Sequence, residues 1–419
     1  MSLIELSGIH KIFGRRPHRG LERLAAGETR EDLLADGLTA AVIDASINVE
    51  PGEIFVVMGL SGSGKSTLIR LVNRLIEPTS GSVVIDGVDL SGLGSSKLRA
   101  IRREKISMVF QHFALLPHRT VGENAAYGLK VRGINKSDRF DRAEEALQLV
   151  GLGGWGGVLP GDLSGGMRQR VGLARALAAQ TDIMLMDEAF SALDPLIRRE
   201  MQDQLIDLQD KLDKTILFIT HDLNEAMRLG DRIAMMRDGR VVQQGTAEQI
   251  LNDPANDYVA QFVQDVDRTR VLNAASVMEA PVALLGADQG PRAAHKLIRE
   301  NQLSGLMVVD RSRRLLGAVT ESAIAEAVAR GHDTVEGHMI QPHVVTPDTL
   351  IAEMFTASAE SPVPLAVVNA EGRLEGVIAR VTLLSALGTT GQLSGSDGDG
   401  GNRDGSPAET GHDVEEARA

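Results

Sequence analysis

The 419-residue chain contains no cysteine, so disulfides and cysteine-ligated zinc are excluded, which suits a cytosolic protein. Aromatic residues make up only 3% of it, and the core must therefore be largely aliphatic. No stretch approaches the roughly 18–20 consecutive apolar residues of a membrane-spanning helix. The start, Met1-Ser2-Leu3-Ile4-Glu5-Leu6-Ser7, lacks the basic and apolar regions of a signal peptide. Any membrane role is expected through a partner or a surface contact. Positive charge is also in deficit. Lys and Arg number 44 against 57 Asp and Glu, a net charge of −13, which makes nucleic acid a poor partner.

What is present reads as a globular protein with 43% hydrophobic and 24% charged residues. The length suits one large domain plus one or two smaller ones. Short aliphatic runs alternate with amphipathic stretches in the first part, which predicts an α/β domain. Strands are expected at residues 54–58, 83–85, 183–186 and 216–219, and a hairpin at 233–242. A helix is expected from Lys65 to about Leu75, and a helical exit over 248–263. A weak repeat follows. Leu306–Asp310 with Gly317–Val319 matches Leu365–Asn369 with Gly376–Ile378, 59 residues later. Each copy ends in an apolar helix, which suggests two βαββα-like units packed as a pair because neither buries its sheet alone. The end of the chain is rich in Gly, Ser and Asp and reads as disordered. Seven acids against Arg403 and Arg418 give it a side-chain balance of −5.

Gly59-Leu60-Ser61-Gly62-Ser63-Gly64-Lys65-Ser66-Thr67 stands between an expected strand and an expected helix. It fits a phosphate-binding loop. Its glycines let backbone N–H groups converge on phosphate oxygens, and the helix N-terminus adds partial positive charge. Lys65 would reach the β- and γ-phosphates of a nucleoside triphosphate, and Ser66 would help hold Mg²⁺. Asp187 and Glu188 end a buried aliphatic run, where uncompensated charge is expensive. Asp187 beside a Mg²⁺–phosphate site would resolve that cost, and Glu188 would polarise the attacking water. Taken alone, the pair also reads as a solvated strand end. Ser164, Gly165 and Gly166 open an apolar helix, either as a simple cap or as a ligand-facing terminus.

This last segment, Leu163-Ser164-Gly165-Gly166-Met167, resembles the LSGGQ signature of ABC ATPases, with Met167 in place of glutamine. The resemblance implies a P-loop ABC ATPase domain with a mixed-sheet core and a helical signature subdomain. It also implies a head-to-tail homodimer with two ATP molecules at its interface. Gln111 resembles the Q-loop glutamine that senses Mg²⁺ and the membrane partner. Asp194, in Ser191-Ala192-Leu193-Asp194, resembles the D-loop, and His221 the switch histidine. Phe13 matches the aromatic that stacks on adenine, although an early Phe is equally a core residue.

Over most of the chain the sequence is similar to the energising subunit of glycine betaine/proline (quaternary amine) importers. The insertion after Phe13-Gly14 that includes Arg30–Leu34, the stretches Ile76–Gly81 and Phe113–Val121, and the signature variant carry this likeness. It implies an ATP hydrolase on the cytoplasmic face of the membrane that works with a permease and, through it, a substrate-binding protein. Phe113–Val121 is the expected permease contact. Alternatives are import of another small amine or amino acid, and a soluble ABC ATPase without a transport role.

The repeated units resemble a tandem CBS pair. The expected division is residues 1–265 for the ATPase, 272–331 and 334–388 for the CBS units, and 389–419 for the acidic tail. The resemblance suggests a cyclic dinucleotide, anionic lipid or osmotic strength as regulatory input. Thr320 is followed by Ala323 where the nucleotide-binding CBS pattern has an acid, and the second unit has Ala379 and Thr382. These departures speak against AMP or ATP bound in the ordinary CBS mode.

Overall fold

A computed structural model describes residues 2–111, 113–191, 193–264 and 267–388. The expected tail at 389–419 and Ala192 of the D-loop-like segment lie outside the described residues.

All five residues of the strand Ile54–Met58 are buried, and their alternation divides them between two cores. Ile54, Val56 and Met58 face the helices of one side, while Phe55 and Val57 face a second sheet. Thr215–Thr220 and Ile183–Asp187 split in the same way, with Phe218 and Met186 on one side and Ile219 and Leu185 on the other. Strands buried on both faces belong to a parallel sheet. Burial of one such side chain contributes about 1.5–3 kcal/mol, so this layer anchors the domain.

The central sheet has six strands. In spatial order they are Arg240–Gly245, Arg232–Arg237, Ile54–Met58, Thr215–Thr220, Ile183–Asp187 and Ile106–Val109. Only the first, the return of the expected hairpin, is antiparallel to its neighbour. The four-stranded second sheet carries Thr39–Val49, Ile4–Phe13, Ser80–Ile85 and Val88–Asp89. On the other side pack Val121–Ala125, Tyr127–Val131, Lys136–Leu149 and the signature helix Gly165–Ala178. The fold is thus a mixed α/β core with a helical layer that carries Gly165–Ala178.

Some boundaries differ from expectation. The helix after the phosphate loop runs Lys65–Val72 and stops short of Leu75. Asn73 accepts the Leu75 N–H through its side chain, and Arg74 takes a left-handed φ of 54°, which a helix cannot continue through. The exit segment is two helices, Ala247–Asn252 and Asp257–Val263. Pro254, which has no N–H and restricts the residue before it, separates them. The insertion after Gly14 folds into Pro17–Ala25 and Arg30–Ala35.

The repeat forms two three-stranded sheets, each with the order expected of a βαββα unit. The segment before each unit crosses to the other one. Glu279 pairs with Val377 of the second sheet, and Ile340 pairs with Ala318 of the first. Gly376 lies against Met278 and Gly317 against Met339, so the two exchanges are related by a pseudo-twofold. Arg314 pairs with Arg373 between the units. Met307, Val309, Ala318, Val363, Ala366 and Leu374 form one shared core. The second unit continues into the core of the larger domain, where Val259, Val263, Leu272, Ile351 and Leu383 belong to a single cluster.

Candidate nucleotide site

Gln111, Glu188, His221 and the phosphate loop all follow neighbouring strands of the central sheet and so meet at one edge, the ligand-binding edge of open α/β sheets. In the loop, Gly59 has φ 149° and Gly64 φ 104°. A Cβ at Gly59 would lie 2.1 Å from the Met236 carbonyl, and one at Gly64 would lie 2.2 Å from that of Ala41. Glycine is therefore required at both positions on conformational and steric grounds. Gly64 leads directly into the helix Lys65–Val72.

Lys65 is buried, and its Nζ donates to the carbonyls of Gly59 at 2.8 Å and Leu60 at 3.0 Å. Burial holds its ammonium below the usual lysine range, with Glu188 and Asp187 opposing that shift. The Ser63 hydroxyl is buried with no hydrogen-bond partner among the described residues. An inward lysine and an orphaned hydroxyl in a glycine cradle fit a phosphate group. Ser61 and Gly62 are exposed at the loop tip, and Thr67 is half-buried on the helix.

Ser66 Oγ donates to Asp187 Oδ1 at 3.0 Å. Burial pushes the Asp187 carboxyl up, while the Ser66 hydroxyl and the Arg70 guanidinium, 3.8 Å away, pull it back. A buried acid and a hydroxyl in contact are the donor set of a hard cation such as Mg²⁺. The sequence reading missed Arg70. It stands four positions after Ser66, so helical spacing already places the two on one face.

Glu188 adopts a left-handed φ of 46°, a conformation unfavourable for a residue with a Cβ. Its N–H donates to Ile219 O at 3.0 Å, and its carbonyl accepts from the Ser191 hydroxyl at 3.0 Å. Held this way, its carboxylate accepts from Gln111 Nε2 at 3.0 Å and lies 3.3 Å from His221 Nδ1. The arrangement can take a proton from a water facing the phosphate loop.

Phe13 is 40% exposed, with the Lys11 ammonium 4.9 Å from its ring centre, which argues against the core alternative. Ser164 caps the signature helix by accepting the Met167 N–H, and Asp194 caps Pro195–Leu212 by accepting that of Ile197. Ser164, Gly165, Gly166 and Asp194 share a separate cleft of about 560 Å³ with Trp155 and Arg170. No residue of the phosphate loop lines it.

Phe113 and Ala114 take left-handed φ values of 59° and 46°. Arg175 stabilises this turn by donating to both carbonyls. Thr320 uses its hydroxyl to accept the Ala323 N–H, as a helix cap. Among the described residues no cluster of three or more metal-ligating side chains occurs, and no helix is long and apolar enough to cross a membrane.

Residues 42–191 match the ABC transporter family, and residues 274–330 match the CBS domain family. The chain is 50% identical to the glycine betaine/carnitine transport ATP-binding protein GbuA of Listeria monocytogenes serotype 1/2a (strain 10403S). That match covers 92% of this chain and 98% of the relative. It is 47% identical to the glycine betaine/proline betaine transport system ATP-binding protein ProV of Escherichia coli (strain K12), over 94% of this chain and 99% of that one. Among solved structures, the dimeric ATP-binding cassette MJ0796 in a post-hydrolysis state with ADP and Pi matches with a TM-score of 0.51 and 33% identity. It covers 58% of this chain and 98% of that chain. A relative of this identity spanning nearly all of both chains settles the matter: the protein belongs to the family of ATP-binding subunits of glycine betaine ABC transport systems, with an ABC ATPase followed by a CBS module.

Proposed function

We propose that the chain drives uptake of glycine betaine and related quaternary amines by hydrolysing ATP at the interface of a head-to-tail homodimer. The observation that carries this is the division of the site between two faces. One face holds Lys65, Ser66, Asp187, Glu188, Gln111 and His221, and the other presents Ser164–Gly166 with Asp194 in a separate cleft. Two copies facing each other would bring the second face of one to the first face of its partner.

Phe13 stacks on the adenine of ATP, and the loop N–H groups receive the phosphates. Lys65 leaves the carbonyls of Gly59 and Leu60 for the β- and γ-phosphates, whose charge compensates its buried ammonium. Ser66 and Asp187, together with Gln111 from the adjoining strand end, would hold Mg²⁺, which supplies charge neutralisation at the phosphate oxygens when bound. Glu188 accepts the proton of the attacking water, and Gln111 and His221 orient its carboxylate. Closure with ATP and opening after hydrolysis then switch a permease between orientations.

The permease docks at Phe113–Val121 and the adjoining groove of about 650 Å³, which is lined by Arg99, Arg103, Tyr127 and Arg175. The chain thereby works at the cytoplasmic membrane face, with a substrate-binding protein engaged through the permease. The CBS pair regulates it through an anionic ligand such as a cyclic dinucleotide, or through anionic lipid. Reconstitution with the permease and binding protein in vesicles tests the reading. Labelled glycine betaine should accumulate with ATP inside, and Glu188→Gln should abolish this. Uptake of another amine with none of glycine betaine would favour the alternative cargo.

A further inference from the structure

The insertion helix Arg30–Ala35 is anchored beside the phosphate loop by local chemistry. Thr29 and Asp32 form a reciprocal cap: the Thr29 hydroxyl accepts the Asp32 N–H at 3.2 Å, and the Asp32 carboxylate accepts the Thr29 N–H at 2.8 Å. Leu33 is fully buried among Ile12, Leu38, Ala40 and Ile43, which ties the helix to the second sheet. Arg30, on this fixed base, directs its guanidinium onto the loop. Nη2 donates to the Gly62 carbonyl at 3.2 Å, and Nη1 lies 3.4 Å from Asp238 at the tip of the adjoining hairpin. That tip also touches the loop, because the Gly239 N–H donates to Ser63 O at 3.0 Å.

We propose that Arg30 is a positioning residue of the ATP site, holding the Gly62 carbonyl outward so that the Ser63 N–H faces the phosphates. In a planar trans peptide the carbonyl and the following N–H point in opposite directions. Drawing Gly62 O toward Arg30 therefore aims the Ser63 N–H at the loop interior, where it donates to Leu60 O at 3.2 Å, a bond that an arriving phosphate oxygen would replace. The hairpin tip does the same to the next peptide through Ser63 O, which turns the Gly64 N–H inward. Gly62, with φ 79° and open space around its Cα, has no side chain to fix its orientation, and the turn bond from Ser63 N–H to Leu60 O is the other restraint on this peptide. A two-pronged guanidinium bridging a carbonyl and a carboxylate supplies it.

This inference rests on the phosphate loop being the ATP site. Arg30→Ala should raise KM for ATP, and the Kd of a fluorescent ATP analogue, about three- to tenfold, with kcat changed less than twofold. Such a pattern marks lost ground-state binding. Arg30→Lys, whose ammonium reaches one partner at a time, should recover part of the loss. The nucleotide-free melting temperature of both variants should stay within about 2 °C of the parent, because Leu33 and the Thr29–Asp32 cap, not the half-buried Arg30 guanidinium, anchor the helix. Unchanged KM and Kd in Arg30→Ala, or a loss confined to kcat, would overturn the proposal. Full ATP affinity in Lys65→Ala would instead overturn the assignment of the loop, and with it this inference.

Discussion

The Gln111 amide donates to the Glu188 carboxylate at 3.0 Å, although 77 positions separate them in the chain. They meet because the strands they follow, Ile106–Val109 and Ile183–Asp187, are adjacent and parallel. His221 follows the next strand over and reaches the same carboxylate oxygen from the other side. Glu188→Gln should therefore lower phosphate release by about 10²–10⁴-fold while ATP still binds. Equal rates for parent and variant would remove Glu188 as the base.

Lys65 sits in a buried position with carbonyls as its hydrogen-bond partners. An ammonium of this kind is destabilising until phosphate charge arrives. Lys65→Met should leave the nucleotide-free melting temperature unchanged or higher while ATP affinity drops at least about tenfold. Calorimetry with and without ATP reads both quantities.

Phe13 presents a part-exposed ring at the end of the strand Ile4–Phe13. Stacking on a base is worth about 1–3 kcal/mol, so Phe13→Ala should weaken ATP binding about five- to a hundredfold. Tripolyphosphate, which has no base, should bind parent and variant alike. A matched loss for both ligands would return Phe13 to a structural role.

The exchange between the two repeat units is tested at Gly376. A Cβ there would lie 2.8 Å from Met278 Sδ and 3.0 Å from its Cβ. Gly376→Ala should cost about 1–3 kcal/mol, as overpacking does. Adding Met278→Ala should return much of it in a denaturant titration.

Glu225 is buried and accepts from Gln202 Nε2 at 3.0 Å. Burial pushes its carboxyl above the usual glutamate range, with Thr220 and Gln202 pulling it back. The folded protein thus keeps this proton to higher pH than the unfolded chain does. The stability from this site is complete below the unfolded pKa and is lost as pH rises through the folded one. Glu225→Gln cannot ionise, so its melting temperature should gain on the parent as pH rises from about 4 to 8. A gap that narrows with rising pH would contradict this sign.

The phosphate loop was legible because its residues are consecutive and its chemistry is that of the local backbone. Asp187 and Glu188 were legible as an acidic pair, yet nothing in their order showed the left-handed Glu188 or its contact with Gln111. Arg70 could have been read from its spacing to Ser66. The grip of Arg175 on Phe113 and Ala114 could not, since 62 positions separate Arg175 from Phe113. The helix end at Val72 was missed because apolar spacing continues through Leu75 while Asn73 and Arg74 turn the chain.

By itself the sequence determined the two-faced strands, the glycine cradle, the signature helix and the existence of a repeat, because each depends on neighbours a few residues apart. Tertiary structure decided the rest: which strand ends adjoin, the crossing of residues 279 and 340 between the two repeat units, and the reach of Arg30 to Gly62. Those contacts close long loops whose entropy cost is recovered only when whole sheets and cores form together, so no local pattern records them.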